Sequence, residues 1–337
     1  MNSGRGYQYG GLETVRTRFG EQRAIETFAQ AAQRNKAQAA AMANDQTLRF
    51  RTFFVLIPHI KTYKINSELN ERGRIALRFC AEMLADEELK EYTQNVTLTG
   101  NENLHNVLKW MIRTGTQDDG ADQDYAKVLD NAAALLADRY HDTSVLPLLV
   151  DMLFRRARNG YNIHDLSWAL FHRGDPHMLR LVASYLRTER AQDYELACSI
   201  LHLNPLSNEE RAQGRQRQYE RYLAWLNDNY DYLFPTEESF QLKSDPEPFA
   251  VDVAAKYLVR PTMKREWGAA SPAMASMQAP NLPREFLKLS EAEQELLAAY
   301  SHNLHRKNRA DWNRFIALSV SEQLNEAKQN MQTGGTR

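Results

Sequence analysis

The sequence predicts an all-α protein, and three observations carry that expectation. Glycine and proline are scarce, 15 and 11 of 337 residues. Alanine, leucine, glutamine, glutamate and arginine are abundant, and these side chains lose little rotamer freedom in a helix. In most segments apolar residues recur three and four apart, the period that places them on one helical face. With 43% hydrophobic and 25% charged residues, the composition suits a chain with a buried core. It excludes collagen-like, disulfide-rich and wholly disordered classes.

Residues 1–11 read as a tail and 12–115 as an N-terminal helical region. Leu12 to about Ala43 reads as one long helix, with Val15, Phe19, Ile25 and Phe28 apolar and a weakly amphipathic end at Ala37–Ala43. Such an end has little apolar face of its own, so the helix is expected to project and to need a partner. Asn44 and Asp45 end it. Leu48–Ile57 is dense in aromatic and β-branched residues and is followed by Pro58, which is expected to close it. It reads as a buried helix in preference to a short strand. Glu68–Leu84 carries Ile75, Phe79 and Met83 four apart, and Asn103–Thr114 carries Leu104, Val107, Leu108 and Met111. Both are helices by that spacing.

A region expected to hold helical repeats follows over 116–260. Asp142–Leu153 can be laid over Asp175–Leu186 at an offset of 33 residues. Asp142 then matches Asp175, and Leu146, Leu148 and Leu153 match Leu179, Leu181 and Leu186. An aspartate at that place caps a helix by accepting from the free amides of its first turn, and Pro176 just after it needs no donor. Apolar helices at Ala132–Ala137 and Leu166–Phe171 precede the two segments, and Tyr194–Leu203 starts a third unit. Helix pairs recurring at such a period are the signature of an α-solenoid. The stretch of about 125–205 resembles HEAT- or armadillo-like helical repeats. Its unit is shorter than a HEAT repeat and lacks that family's regular arginine on the second helix. The resemblance implies stacked helix pairs, with additional long helices at both ends of the chain, and a binding scaffold with no particular ligand.

Ser207 is expected to cap a long helix reaching about Leu233, and the apolar run Phe249–Leu258 reads as a short helix. Residues 261–283, with Pro261, Pro272, Pro280 and Pro283, read as a Pro/Met/Ala-rich linker. Residues 284–332 read as a C-terminal helical pair, opened by a capping box from Ser290 to Glu293 and closed by a helix over Asp311–Met331. Residues 333–337 are a tail.

The formal charge of −1 creates no long-range field for nucleic acid or anionic lipid. The run of large apolar residues Phe53–Ile57 is far short of the roughly 20 residues of a membrane span. Residues 1–11 contain no apolar segment of the secretory kind. No membrane insertion and a cytoplasmic location are therefore expected. Cys80 and Cys198 stand far apart among apolar neighbours and read as buried thiols.

No phosphate loop, nucleophile elbow or zinc-protease spacing occurs, so no catalytic residue, cofactor or metal site is expected. His141, His164, His172, His177 and His202 read as turn and helix-end residues rather than zinc ligands. The Arg-Gly-Asp string ending at Asp175 reads as a turn and a cap. Asp118, Asp119, Asp122 and Asp124 read as a solvated acidic turn, because the order of a calcium loop is missing. His302, His305, Arg306, Lys307 and Arg309 form a basic cluster expected at a helix end.

Two sets of candidate contacts remain. Arg211, Arg215, Arg217 and Arg221 are candidates for nucleic acid or phosphate, because guanidinium groups meet phosphates. Tyr219, Tyr222 and Trp225 are candidates for partner contact, although their helical spacing also suits a core. The leading expectation is a non-enzymatic interaction or scaffold subunit that takes protein partners. The alternatives are a nucleic-acid-associated protein using the Arg211–Arg221 face and an enzyme of unfamiliar all-helical type.

Overall fold

The structure, a computed structural model, describes residues 11–120, 122–171, 176–207, 211–236, 238, 246–261 and 282–334. Side chains are described for these residues except 211–213 and 331–334. Most of the linker expected at 261–283, the Arg-Gly-Asp string with His172 and the Asp175 cap, and nearly all of both tails lie outside the described residues. The chain is helical almost throughout, as its composition predicts. It forms two compact units, 1–175 and 176–337, so the division falls within the region 116–260.

The first unit opens with three helices where one was expected over 12–43: α1 (Leu12–Phe19), α2 (Glu21–Arg34) and α3 (Lys36–Ala43). The first break is at Gly20, whose φ of 89° suits a residue without a Cβ. The second is at Asn35, whose side chain accepts from the amides of Ala37 and Gln38 and so starts α3. Because of these breaks the Ala-rich end does not project. Ala39, Ala40 and Ala43 are buried, and Asn44 is held by Glu68 O at 3.0 Å and by the Asn70 amide at 2.7 Å.

The aromatic run forms α4 (Phe50–Thr62), a helix as expected, but Pro58 lies inside it and does not close it. The apolar face of Phe53, Leu56, Ile57 and Ile60 runs past the proline, and burying it outweighs the single backbone bond that proline removes. α5 (Glu71–Leu84), α6 (Glu87–Tyr92), α7 (Leu104–Gly115) and α8 (Gln123–Asp138) follow, with α4 packed on α2 and α7. Phe50 stacks on Tyr125 at 5.4 Å and meets Trp110 edge-on at 5.6 Å. The Tyr125 hydroxyl donates to Gly115 O at 3.0 Å, and a Cβ on Gly115 would stand 2.7 Å from that hydroxyl. α9 (Leu146–Arg158) and α10 (His164–Phe171) complete the unit, with α10 packed on α8.

The acidic turn is solvated only in part: Asp122 and Asp124 are exposed as expected, whereas Asp119 is buried. Asp118 bonds Arg16 at 2.9 Å, Asp122 pairs with Arg51, and Asp119 receives both Nε and Nη2 of Arg156 at 2.7 and 2.8 Å. Asp119 and Arg156 have side chains only 1% and 4% exposed, so these carboxylates hold the turn against α1, α4 and α9. Asp118, Asp119 and Asp122 each add a second carboxylate to an arginine that also pairs elsewhere, Arg16 with Glu13, Arg156 with Asp130 and Arg51 with Glu21.

The second unit begins with α11 (His177–Ala183), a 3-10 turn at Ser184–Arg187, α12 (Ala191–Ile200) and α13 (Arg211–Asn229). α13 stops short of Leu233, and a 3-10 turn at Tyr230–Tyr232 leads into a strand. The apolar run Phe249–Leu258, expected to be helical, divides into a strand and a short helix. β1 (Leu233–Pro235) pairs antiparallel with β2 (Phe249–Val251), in the register Phe234 opposite Ala250. Asp252 then caps α14 (Val253–Tyr257) by accepting from the Ala255 amide at 2.8 Å. α15 (Glu291–Lys307) starts at Ser290 with the expected capping box. The expected helix over 311–331 is two, α16 (Arg309–Ile316) and α17 (Val320–Gly334).

Tyr257, Phe286, Leu297, Phe315 and Ala327 form the core of this end. A polar relay crosses it: Trp312 Nε1 donates to Ser301 Oγ at 2.8 Å, Ser301 Oγ to Tyr257 O at 2.7 Å, and Tyr257 Oη to Gln323 Oε1 at 2.8 Å. Cys80 and Cys198 are buried as expected, and neither forms a disulfide.

Candidate functional site

A groove of about 590 Å³ opens in the second unit. One wall is a stripe of α13, where Gln218, Arg221, Tyr222 and Trp225 fall three and four residues apart and therefore share a face. The opposite lining comes from the end of α12 with Leu201–Asn204, from Leu179 of α11, and from Glu247–Phe249 at the start of β2. Leu179, Leu201, Tyr222 and Phe249 are buried and make an apolar floor. The site is thus built from four elements that only the tertiary fold brings together.

Hydrogen bonds brace these walls from behind. Gln218 Nε2 donates to Asn204 O at 3.0 Å, while Gln218 Oε1 accepts from the Tyr194 hydroxyl at 2.8 Å. The Leu206 amide donates to that same hydroxyl at 2.8 Å. His202, with a φ of 52°, donates from Nε2 to Pro246 O at 2.9 Å and so ties the 201–204 segment to the strand entry. Preorganised walls of this kind lower the ordering cost of binding.

Tyr222 and Trp225 lie with ring centroids 5.4 Å apart. Trp225 is 43% exposed, one of the few large apolar side chains left in contact with water. Tyr222 is 7% exposed, and among the described residues nothing hydrogen-bonds its hydroxyl. Burial pushes this phenol well above its ordinary pKa, so it remains a proton donor. The hydroxyl is not among the fully buried polar atoms that lack a partner, so water reaches it, and an occupant of the groove can take that water's place.

The structure divides the candidate arginines rather than presenting them on one face. At 3.6 residues per turn, Arg211 and Arg215 fall on one side of α13 and Arg217 and Arg221 on roughly the other. Arg215 turns inward: it donates to Thr188 O and lies 4.5 Å over the ring of Tyr194. Tyr219 is on that side too, covered by Arg187 at 4.3 Å. Arg217 and Arg221 are exposed, and of the three arginines with described side chains Arg221 alone lines the groove. The side chain of Arg211 lies outside the described residues. Of the seven candidate residues, the groove gathers Arg221, Tyr222 and Trp225.

A second constellation in this unit centres on Asp228, near the end of α13. Lys256 Nζ is 2.7 Å from its carboxylate and 2.7 Å from Asn229 Oδ1, while His302 and Arg306 each approach it at 3.3 Å. Burial opposes ionisation of Asp228, but the Lys256 bond and charge, with smaller help from His302 when it is protonated and from Arg306, prevail and hold its carboxyl below the usual range. His302 is shifted down, chiefly by burial, against the pull of Asp228. These contacts join α13, α14 and α15. The cluster expected to be a solvated basic turn is thus partly structural, through His302 and Arg306.

Among the described residues no group of three His, Cys, Asp or Glu side chains is placed to hold a metal ion. Among them, too, no helix is long and apolar enough to cross a membrane. No protein-family model, curated protein or solved structure matches the chain, so the groove is interpreted from its own geometry.

Proposed function

We propose that the chain is a non-enzymatic interaction or scaffold subunit of a larger assembly, built on helical repeats and working in the cytoplasm. The observation that carries this reading is the groove itself. It combines an apolar floor, an exposed tryptophan at its rim and a tyrosine hydroxyl with no partner among the described residues, the features of a contact site that another molecule completes. Tryptophan and tyrosine are the residues over-represented where interfaces concentrate their binding energy.

The repeat reading is supported by matched burial in the two aligned segments. Val145, Leu146, Leu149, Val150 and Leu153 are buried, and so are their counterparts Met178, Leu179, Val182, Ala183 and Leu186. Asp151 and Ser184 are exposed at equivalent places. Within the first unit α10 packs on α8 and on α9, the kind of neighbour contact a stacked array uses.

Affinity purification after cross-linking at native concentration tests the proposal. The expected result is a defined set of proteins in an assembly larger than the monomer. Recovery of the monomer alone would overturn it.

A further inference from the structure

The chemistry of the groove narrows what can occupy it. Its floor is apolar, with Leu179, Leu201 and Phe249 buried around it. On α13 the Arg221 guanidinium is a donor only, and the Tyr222 hydroxyl beside it can donate as well as accept. An anionic oxygen pair answers both as donors, one of them cationic. Glu247 on the far lining limits the charge that the occupant can carry, and exposed Glu220 stands beside Arg221 on the same helix. A singly charged carboxylate fits this balance. A polyanion with a phosphate at every unit meets those two glutamates.

The form of the groove adds a second constraint. Its volume of about 590 Å³ falls within the range of small-molecule sites, about 300–1,000 Å³. Yet Trp225, Arg221 and His202 on its rim are all exposed, so the site lies open along its upper side. A compact ligand would leave much of its surface in water there, whereas an extended chain can continue past the rim. We propose that the groove binds a linear peptide segment of a partner protein, with an aromatic or aliphatic side chain on the Leu179–Leu201–Phe249 floor and a carboxylate held by Tyr222 and Arg221. The proposal rests on the interaction-scaffold reading above and names the partner chemistry of that same site.

The test is selection of a displayed library of random peptides on the full chain, with a Trp225→Ala chain as the counter-selection. Enriched sequences should pair an aromatic or aliphatic residue with an aspartate or glutamate a short distance away. In fluorescence polarisation, Tyr222→Phe keeps the ring and should weaken the selected peptides about tenfold, as for loss of a hydrogen bond to a charged group. Arg221→Glu should weaken them by more than about tenfold, and a lysine in place of the peptide acid should restore binding to that variant. Changing the peptide acid to its amide makes the same test without altering the protein, and it should also weaken binding.

The proposal is overturned by selected peptides with no acidic preference, by unchanged affinity in both variants, or by no enrichment over the Trp225→Ala chain. Displacement of the peptides by a single-stranded RNA oligonucleotide would overturn it in favour of nucleic acid. If no peptide is selected while defined partners still copurify with the parent chain, this inference fails alone. If neither is found, the scaffold reading fails with it.

Discussion

Arg156 in the first unit and Asp228 in the second are charge hubs of opposite sense. Arg156 is a nearly buried guanidinium shared by two carboxylates, Asp119 and Asp130. Asp228 is a half-buried carboxylate shared by Lys256, His302 and Arg306. Burial acts against the ionised carboxylate in both places, and the outcome differs because its depth and the local balance of charge differ. At Asp130 burial dominates, Arg156 opposes it only in part, Asp119 and Asp165 add repulsion, and the pKa is pushed up to about 6. At Asp228 the surplus of cations overcomes burial and the pKa falls. Asp130 is the more deeply buried of the two, so depth of burial and the charges around a carboxylate together set the direction of its shift, and with it the direction of the pH response.

The largest effect expected from breaking this contrast is at Arg156. Arg156→Met leaves Asp119 and Asp130 desolvated with no shared cation, and should cost about 3–5 kcal/mol in urea or thermal unfolding of the first unit. Asp228→Ala should cost less, about 2 kcal/mol, because Lys256 keeps Asn229 Oδ1 as an acceptor and Arg306 is already exposed. Equal losses at the two hubs would show that depth of burial is not what separates them.

The pH dependence sharpens the same contrast, with opposite signs. Asp130 has a folded pKa near 6, above the unfolded value of 3.8, so its contribution to stability is fully present below pH 3.8. It is lost as pH rises towards and through about 6. Asp228, with a lowered pKa, contributes stability that is present above its unfolded pKa of 3.8 and lost as pH falls through its folded value. Asp130→Asn should flatten the slope of stability between about pH 4 and pH 6, and Asp228→Asn should flatten the slope on the acid side of pH 4. Chemical denaturation followed across that range reads both slopes.

A smaller effect belongs to a hub that carries no charge. Ser301 links Trp312 to the Tyr257 carbonyl, so Ser301→Ala leaves an indole N–H and a carbonyl without their partner. The expected loss is about 1–3 kcal/mol in thermal unfolding, and restoration by Ser301→Thr would assign it to the hydroxyl.

The helices were legible where their signals are local. α5 and α7 follow from apolar residues at spacings of three and four, and α15 from its capping box at Ser290 and Glu293. Breaks were harder to read. Asn35 lies in an Ala-rich stretch with good helical propensity on both sides, and only its side-chain cap reveals the stop. Gly20, between Phe19 and Glu21, was a visible signal that the apolar spacing masked. The strand at Phe249–Val251 runs into α14 with no turn residue except Asp252, and its pairing with Leu233–Pro235 is a tertiary fact. The buried role of Asp119 depends on Arg156, 37 residues away in sequence, which no spacing rule connects to it.

The site was legible to the same degree. Arg221, Tyr222 and Trp225 were singled out because aromatic and cationic residues share a helix, and the groove unites them. Arg215 and Tyr219 carried the same local signal but face Tyr194 and Arg187. Leu201–Asn204 and Glu247–Phe249 carried no signal of a site, only of helices at Tyr194–Leu203 and Phe249–Leu258, since a loop and a strand entry become a wall only when folded against α13. Pro205, just after 201–204, marks a turn there but not its role.

The central claim is that the groove on α13 is where this chain meets a partner. Quantitative copurification from the native cell, comparing the parent chain with Trp225→Ala, tests it most directly. Trp225 is 43% exposed, so its removal should leave the fold and thermal midpoint nearly unchanged. The account predicts that at least one defined partner is lost or strongly depleted with the variant. An identical set of partners, recovered in identical amounts, would contradict it.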